Sequence, residues 1–155
     1  ETNQDRITHL NKLREQQDTS GGFQCFVPYP FLEDNTRLPE ARLASGAEVI
    51  RIISLSRIML DNIPHIKAYR MNIGDHLATI AINSGADDID GTVGHEEIMH
   101  VAGSTTNLNY DSYKLGNLIR SAGQNPVKRD STYTRFQPFQ IIPKREGHLL
   151  PIIGQ

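Results

Sequence analysis

The stretch SRIMLDNIPHIKAYRMNI, residues 56–73, decides the fold of this chain. It joins the end of a predicted helix near Asn62 to a short extended run at 65–72, with Pro64 between them. Proline lacks an amide N–H and disfavours the helical conformation in the residue before it, so the helix cannot continue. Gly74 closes the extended run, and a new helical pattern opens directly after it. This order of helix, strand and helix with short connections is typical of α/β units.

The predicted strand carries an unusual set of polar side chains. Strands that are buried on both faces in α/β folds are normally rich in valine, isoleucine and leucine. This one contains Lys67, Tyr69, Arg70 and Asn72. We therefore expect some of these side chains to point into a functional site.

Helical and extended patterns alternate along the chain, which predicts a parallel sheet or barrel. Further strands are predicted at residues 23–28 and 87–93, and helices at 3–18, 47–62, 76–84, 95–102 and 111–122. Three strands do not close a barrel, and a complete eight-unit barrel needs about 250 residues. We interpret residues 1–133 as the C-terminal half of a parallel (β/α) TIM-type barrel. The proline-containing remainder after residue 125 is predicted to be extended, with an irregular tail at 134–155.

Composition narrows the class of protein. The 155 residues carry a formal net charge of −2, which favours neither nucleic acid nor an anionic membrane as a partner. No apolar run reaches the roughly 18–20 residues of a membrane span. Cys25 is the single cysteine, so no internal disulfide can form, and a reducing cytoplasm is the expected location. Because the chain begins at Glu1, we expect it to be processed or to be a piece of something longer.

Several stretches together resemble one family. They are LNKLREQQDTSGG with the following Phe-Gln, the Asn-Thr pair at 35–36, SRIMLDNIPHIKAY, GADDIDGTV, an Ala-Gly pair at 102–103, and PVKRDSTY. Together they resemble the C-terminal half of the radical S-adenosylmethionine (SAM) enzymes of the futalosine route to menaquinone, most nearly the aminofutalosine synthases. The dehypoxanthine futalosine cyclase and the synthases of the deazaflavin chromophore are relatives in that family.

The resemblance implies a reaction, two cofactors and a partner. Family members reduce SAM with a [4Fe–4S] cluster and make a 5′-deoxyadenosyl radical. In the aminofutalosine synthases this radical adds to the enol-ether double bond of a carboxyvinyl-oxybenzoate. The cluster ligands lie in a Cys-x3-Cys-x2-Cys loop of the N-terminal half, which this chain with its one Cys25 lacks. We therefore expect the chain to be inactive alone and to need that N-terminal half, on the same parent chain or on a partner.

The same resemblance, together with strand geometry, selects candidate residues for binding substrate and SAM. Lys67 and Tyr69 match the family and share a strand face with His65, so we expect that face to line the barrel. Asp90 and Thr92 lie at the end of a strand, where they can meet a nucleoside hydroxyl or a carboxylate. Glu96 also matches the family. No catalytic residue is identified.

Other patterns have structural interpretations. Arg70 departs from the family, which usually has a bulky aromatic residue there, and we expect it to be outward or at the rim. Asp87 and Asp88 are expected to cap and turn the chain. Arg57 and Asp61 have the spacing of a helical ion pair. The histidines of the HEEIMH segment are five residues apart, which does not suit zinc.

Three alternatives stay open at this point. The first is another enzyme of the family, such as the cyclase that acts on dehypoxanthine futalosine. The second is a non-catalytic half-barrel that serves as a binding module. The third concerns Arg129 alone, which either holds a carboxylate or belongs to a solvated loop.

Overall fold

The computed structural model of the chain describes residues 1–33, 37–38 and 40–140. The Asn-Thr pair at 35–36 and the part of the predicted tail beyond residue 140 therefore fall outside the described residues. Two sets of elements make up the described part. The helices are α1 (Asn3–Ser20), α2 (Gly46–Met59), α3 (Arg70–Ile82), α4 (Glu97–Val101) and α5 (Ser112–Ser121). The strands are β1 (Cys25–Phe26), β2 (His65–Ala68), β3 (Asp88–Ile89), β4 (Val127–Arg129) and β5 (Phe136–Pro138).

The first three strands form a parallel sheet in the order β1-β2-β3. Cys25 pairs with His65, and Lys67 pairs with Asp88. Successive side chains of a strand point to opposite faces. The parallel pairing of β1, β2 and β3 agrees with the α/β sheet that the alternation of helical and extended patterns predicted.

One face of this sheet packs against the helices. Ile66, Ala68 and Ile89 are buried there in a core that also contains Val49 and Ile53 of α2 and three alanines, Ala78, Ala81 and Ala86. Burying these side chains contributes roughly 25 cal/mol for each Å² of apolar surface removed from water. The opposite face carries Cys25, His65, Lys67 and Asp88, and we call it the hairpin face.

Helix boundaries follow from capping chemistry. Thr2 and Ser45 begin α1 and α2 through capping boxes, in which the side chains of Asp5 and Glu48 accept a hydrogen bond from the amide of the cap residue. Gly21 ends α1 in the left-handed conformation, with φ of 61°. These local signals explain why both helices match the predicted ranges closely.

The predicted strand at 65–72 is too long, and this is the first correction. β2 ends at Ala68, and Arg70 already begins a helical turn. The carbonyl of Tyr69 accepts the amides of Asn72 and Ile73, which closes that turn. Gly74, with φ of 79°, then interrupts α3 before its main part, so the predicted break after the strand is correct.

The C-terminal segment is more ordered than predicted. β4 and β5 form an antiparallel hairpin, which we call the C-terminal hairpin. Asp130 accepts hydrogen bonds from the amides of Thr134 and Arg135 and so shapes its turn. The prediction of an irregular tail is therefore wrong as far as residue 140, and residues 141–155 lie outside the described residues.

The predicted ion pair between Arg57 and Asp61 is also wrong. Asp61 pairs with Arg14 of α1 instead. Arg57 donates to the carbonyl of Gly85 at 2.7 Å and to Asp87 at 2.6 Å. Tertiary partners thus replace the partner available within the helix.

Over the described ranges, no helix combines the length and the apolar character needed to span a lipid bilayer.

Candidate functional site

The polar residues of the hairpin face fall into two groups. One group lies at the amino end of the sheet, against the C-terminal hairpin, and the other lies just beyond the carboxyl ends of the strands. In parallel α/β folds, ligands bind at the carboxyl ends of the strands. The six predicted residues are divided between these groups, so the structure does not bring them all together.

Tyr69 is the centre of the carboxyl-end group. Its ring lies 5.1 Å from the ring of Tyr29, and its hydroxyl donates to Glu96 at 3.2 Å. Burial, and then the charge of Glu96 and this hydrogen bond, raise the pKa of Tyr69 to about 12. The phenol is therefore protonated at neutral pH and acts as a hydrogen-bond donor.

Glu96 has a structural task as well as this contact. It is the N-cap of α4, and its carboxylate accepts the amide of Met99 at 3.3 Å. One oxygen caps the helix and the other accepts from Tyr69. Glu96 thus ties α4 to the end of β2.

Arg70 is fully buried, which overturns the expectation that it is outward or at the rim. Its guanidinium donates to Asp75 and to the carbonyl of Asn107, both at 3.1 Å, and lies 4.3 Å from the ring centre of Tyr110. A buried guanidinium needs such carboxylate, carbonyl and aromatic partners to offset its lost hydration.

Asp90 is 4% exposed and faces Arg70. One oxygen accepts the backbone amide of Arg70 at 2.6 Å, and the other lies 3.6 Å from the arginine Nε. That second oxygen has no hydrogen-bond partner among the described residues. Burial raises the pKa of Asp90, while Arg70 opposes this rise. Asp90 therefore fixes the turn after β2 and keeps one acceptor unused.

Thr92 is exposed. Together with His65 and Asp90 it lines a cleft of about 820 Å³ between β3, α5 and the C-terminal hairpin. His65 itself lies at the amino end of β2, where its Nδ1 is 2.8 Å from Asp87. The structure thus separates His65 from Tyr69 and Glu96.

The amino-end group contains Arg129, for which a carboxylate contact was one of the two open alternatives, and also Asp88 and Tyr133, which sequence reasoning did not place in the site. Asp88 accepts a forked pair of hydrogen bonds from Arg129, at 3.1 and 2.7 Å, and one from Tyr133 at 2.5 Å. Lys67 lies 3.6 Å from the same carboxylate. The expectation that Asp88 is a capping residue is wrong, whereas Asp87 does accept the amide of Ile66 at the turn before β3.

One signal in the sequence pointed to this group: PVKRDSTY, which contains Arg129 and Tyr133, is one of the motifs shared with the resembled family. The pairing of Lys67 with Asp88 on neighbouring parallel strands came from the structure. The sequence did not show that the C-terminal hairpin folds against the sheet. There the ring of Tyr133 stacks on that of His65, with ring centres 4.3 Å apart.

No group of three or more potential ligands suited to a metal ion occurs in the part of the chain that the structure describes. His95 and His100 have separate partners, Glu97 and the carbonyl of Thr106. Cys25 is a half-buried free thiol. A cluster held by three cysteines does not fit this chain, because the whole sequence has one cysteine. In the carboxyl-end group, Asn72 and Asp90 each have a buried oxygen without a hydrogen-bond partner among the described residues, so both oxygens can accept hydrogen bonds from a ligand.

Comparison with known proteins settles the family. Residues 20–142 match the family model described as the CofH/MqnC C-terminal region. The chain belongs to this family. Among the similar proteins is an aminodeoxyfutalosine synthase of Thermus thermophilus, 36% identical over 137 residues, which cover 86% of this chain and 37% of that protein.

Two other relatives of this CofH/MqnC-type chain have different names. A cyclic dehypoxanthine futalosine synthase of Streptomyces coelicolor is 35% identical over 133 residues, 86% of this chain and 33% of that protein. A 5-amino-6-(D-ribitylamino)uracil–L-tyrosine 4-hydroxyphenyl transferase of Methanoculleus marisnigri is 37% identical over 137 residues, which cover 86% of this chain and 37% of that protein. The chain thus spans little more than a third of the curated relatives it matches. The family resemblance inferred from the motifs is confirmed.

Proposed function

We propose that the chain is the part of a radical SAM aminofutalosine synthase that binds substrate and SAM. The match of residues 20–142 to the family model carries the radical SAM part of this proposal. The 36% identity to an aminodeoxyfutalosine synthase is close to the 35% and 37% found for the two other relatives, so the choice of member rests on motifs. The reaction proposed is addition of a 5′-deoxyadenosyl radical to the double bond of a carboxyvinyl-oxybenzoate, in menaquinone biosynthesis. The resemblance of SRIMLDNIPHIKAY and GADDIDGTV to that group of enzymes supports the same choice.

The complete fold that we propose is a TIM-type barrel. The parallel β1-β2-β3 sheet with helices on one face supports this, since a barrel wall has that construction. The hairpin face would then line the barrel. Both outer strands of the sheet would pair with strands from the N-terminal half, which we propose as the partner of this chain.

Within such a barrel, the chain's own residues bind and shelter the reactants. Tyr69 donates a hydrogen bond from its protonated phenol, and Glu96 holds its orientation. The unused oxygens of Asn72 and Asp90 would accept hydrogen bonds from the hydroxyl or amino groups of a nucleoside. The paired rings of Tyr29 and Tyr69 provide an apolar wall that excludes water from a reactive intermediate.

The [4Fe–4S] cluster has no place among the residues of this chain, so its ligands belong to the N-terminal half. When present there, it supplies the electron that reduces SAM. We propose that catalysis requires both halves together and that this chain alone is inactive.

The experiment is an anaerobic assay of the chain assembled with the N-terminal half of a relative. The substrates are SAM labelled in its adenosyl group and the carboxyvinyl-oxybenzoate. The proposal predicts a product that contains the label, because the adenosyl group adds to the substrate. The absence of labelled product, with a loaded cluster and a folded chain, would refute it.

A second candidate is the cyclase that acts on dehypoxanthine futalosine. It is favoured by the 35% identity to the cyclic dehypoxanthine futalosine synthase. Feeding dehypoxanthine futalosine to the same assembly tests it, since turnover of that substrate alone would identify the cyclase. Turnover of neither substrate, without binding of 5′-deoxyadenosine, would identify a non-catalytic binding module.

A further inference from the structure

We propose that residues 91–110 form a lid over the carboxyl-end group, and that this lid must open before a ligand can reach Asn72 and Asp90. These residues, which run from the end of β3 to the start of α5 and include α4, are called the lid segment. The inference rests on the proposed function for the class of ligand, a nucleoside. It adds the route by which the ligand enters and the hydrogen bonds that keep this route closed.

The burial of two unused acceptors is the first support. The Oδ1 of Asn72 and the Oδ2 of Asp90 are buried and have no hydrogen-bond partner among the described residues. The lid segment places the sulfur of Met99 3.5 Å from the amide nitrogen of Asn72. It also holds Arg70, whose Nε lies 3.6 Å from the free oxygen of Asp90, through the carbonyl of Asn107. A ligand therefore cannot reach either oxygen while the segment stays in place.

The attachment of the lid segment is the second support. Its polar groups bond to residues 69–75, a short stretch that follows β2 and forms the first turn of α3. The bonds include Tyr69 to Glu96 at 3.2 Å, Ser104 to the carbonyl of Met71 at 2.5 Å, and Tyr110 to Asp75 at 2.5 Å. The same stretch contains the side chains proposed to bind a ligand. The segment thus competes with a ligand for this part of the chain.

The weak apolar packing of the lid segment is the third support. The structure describes every residue from 91 to 110, and none of them is buried. Tyr110 is the one member of the segment that packs against the hydrophobic core of the described residues. In contrast, α2 and α3 each bury several side chains. Elements with few buried apolar contacts are the first to open locally, so the lid segment can move while the core stays folded.

The start of the lid segment has the freedom that a hinge requires. A Cβ added to Gly91 or to Gly94 would meet no side chain or distant backbone within 4 Å, so the chain is unpacked there. The other end is fixed at Asp111, whose side chain caps α5 by accepting the amide of Lys114 at 2.8 Å. A change of backbone angles at 91–94 would lift α4 from residues 69–75, as in other enzymes that admit ligands by lid opening.

The first test is amide hydrogen exchange of the 155-residue chain, followed by mass spectrometry. Tyr110→Phe and Ser104→Ala each remove one hydroxyl that fastens the segment. Each should speed exchange in α4 by roughly five- to tenfold, the effect of one lost hydrogen bond on an opening equilibrium. Tyr113→Phe removes the same hydroxyl from an exposed ring of α5 and should change nothing. Exchange in α2 should be the same in all of these proteins.

The second test asks whether opening uncovers Asp90. Carboxyl groups are labelled with a carbodiimide and glycine amide, and the labelled sites are read by mass spectrometry. Labelling of Asp90 should be slow in the wild type and roughly five- to tenfold faster in Tyr110→Phe and Ser104→Ala, in step with the exchange of α4. Glu15, an exposed carboxylate of α1, is the internal standard and should react equally in every variant.

Faster exchange confined to residues near the substitution would overturn the inference, because a lid opens as a unit. Faster exchange of α4 without faster labelling of Asp90 would overturn it as well. Neither test uses a nucleoside, so both are separable from the proposed function. If both succeed but the assembly does not bind 5′-deoxyadenosine, the lid stands and the proposed function fails. Labelled product from an assembly in which Tyr110→Phe leaves the association rate of 5′-deoxyadenosine unchanged would show the reverse.

Discussion

Arg70 is the residue that joins the sheet to the loop between α4 and α5. Its guanidinium contacts Asp75, the carbonyl of Asn107 and the ring of Tyr110, and it is the largest fully buried side chain of the described residues. A buried charge of this kind is tolerated because its partners are fixed around it. The carboxyl-end group therefore depends on one arginine for its geometry.

Replacing Arg70 by methionine should destabilise the chain by about 3–5 kcal/mol, because Asp90 and Asp75 lose their buried counter-charge. Urea unfolding followed by circular dichroism measures this. Adding Asp90→Asn should recover part of the loss, and the resulting cycle gives the coupling between the two side chains. Arg51→Met, at an exposed position of α2, is the matched control and should cost little. Strictly additive effects of the two substitutions would contradict the pairing.

Asp90 should give the chain a specific dependence on pH. Burial raises its pKa in the folded state above the unfolded value of roughly 3.9. A carboxyl group with a raised pKa binds its proton more tightly when folded, so its contribution to stability falls as pH rises above the unfolded pKa and through the folded one. Relative to the wild type, Asp90→Asn should therefore be more stabilising at pH 7 than at pH 4, since pH 4 lies near the unfolded pKa of about 3.9. Urea unfolding at both values measures this, and an unchanged or opposite difference would show that Asp90 is not the responsible group.

At the scale of elements, the C-terminal hairpin closes the amino end of the sheet. It contacts His65 through Tyr133 and Asp88 through Arg129, the first residues of β2 and β3. A second attachment lies on α5, where Phe139 packs against the bare backbone of Gly116. The hairpin is thus held at both ends, by a polar cluster and by an aromatic ring.

Gly116→Ala tests whether the contact with Phe139 outweighs the higher helix propensity of alanine. In an open helix the change would stabilise by about 1 kcal/mol. Here the added Cβ would lie 2.4 Å from the ring of Phe139, so we expect destabilisation instead. Its size should be about 1–3 kcal/mol, as for other overpacked sites, measured by thermal unfolding. Asn117→Ala, the exposed neighbour on α5, should stabilise slightly, and an equal gain at Gly116 would show that Phe139 does not pack there.

At the scale of the whole molecule, the sheet has two open edges. Within the described residues, β1 and β3 each pair with β2 alone. Unpaired strand edges are templates for association with other chains. The proposed N-terminal half of the barrel would cover these edges.

Alone in solution, the chain should therefore associate as its concentration rises, which sedimentation velocity measures. Gln24→Pro removes an amide donor beside β1 and should reduce this association. Gln24→Ala, at the same exposed position, should leave it unchanged. A monomer at every concentration, or equal behaviour of the two variants, would show that the β1 edge is not the site of association.

The sequence by itself determined the family and the order of the elements as far as α5. Pro64, the glycine after α1 and the capping residues act within a few residues of their own position, so their effects can be predicted locally. The face shared by His65 and Lys67 also followed from the twofold alternation of a strand. Motifs such as HIKAY were sufficient to identify the family, because recognising a motif needs only the order of the residues and no tertiary contacts.

Only the tertiary structure decided which side chains meet. The amide of Arg70 is held by Asp90 and its guanidinium by the carbonyl of Asn107, both 20 or more residues away. The partners that replace the Arg57–Asp61 pair are equally distant in sequence. The hairpin that occupies Asp88 was hidden for the same reason, since its contacts with the sheet span 41 and 45 residues. Local propensity carries no information about such distant partners, and a buried charge takes its position from them.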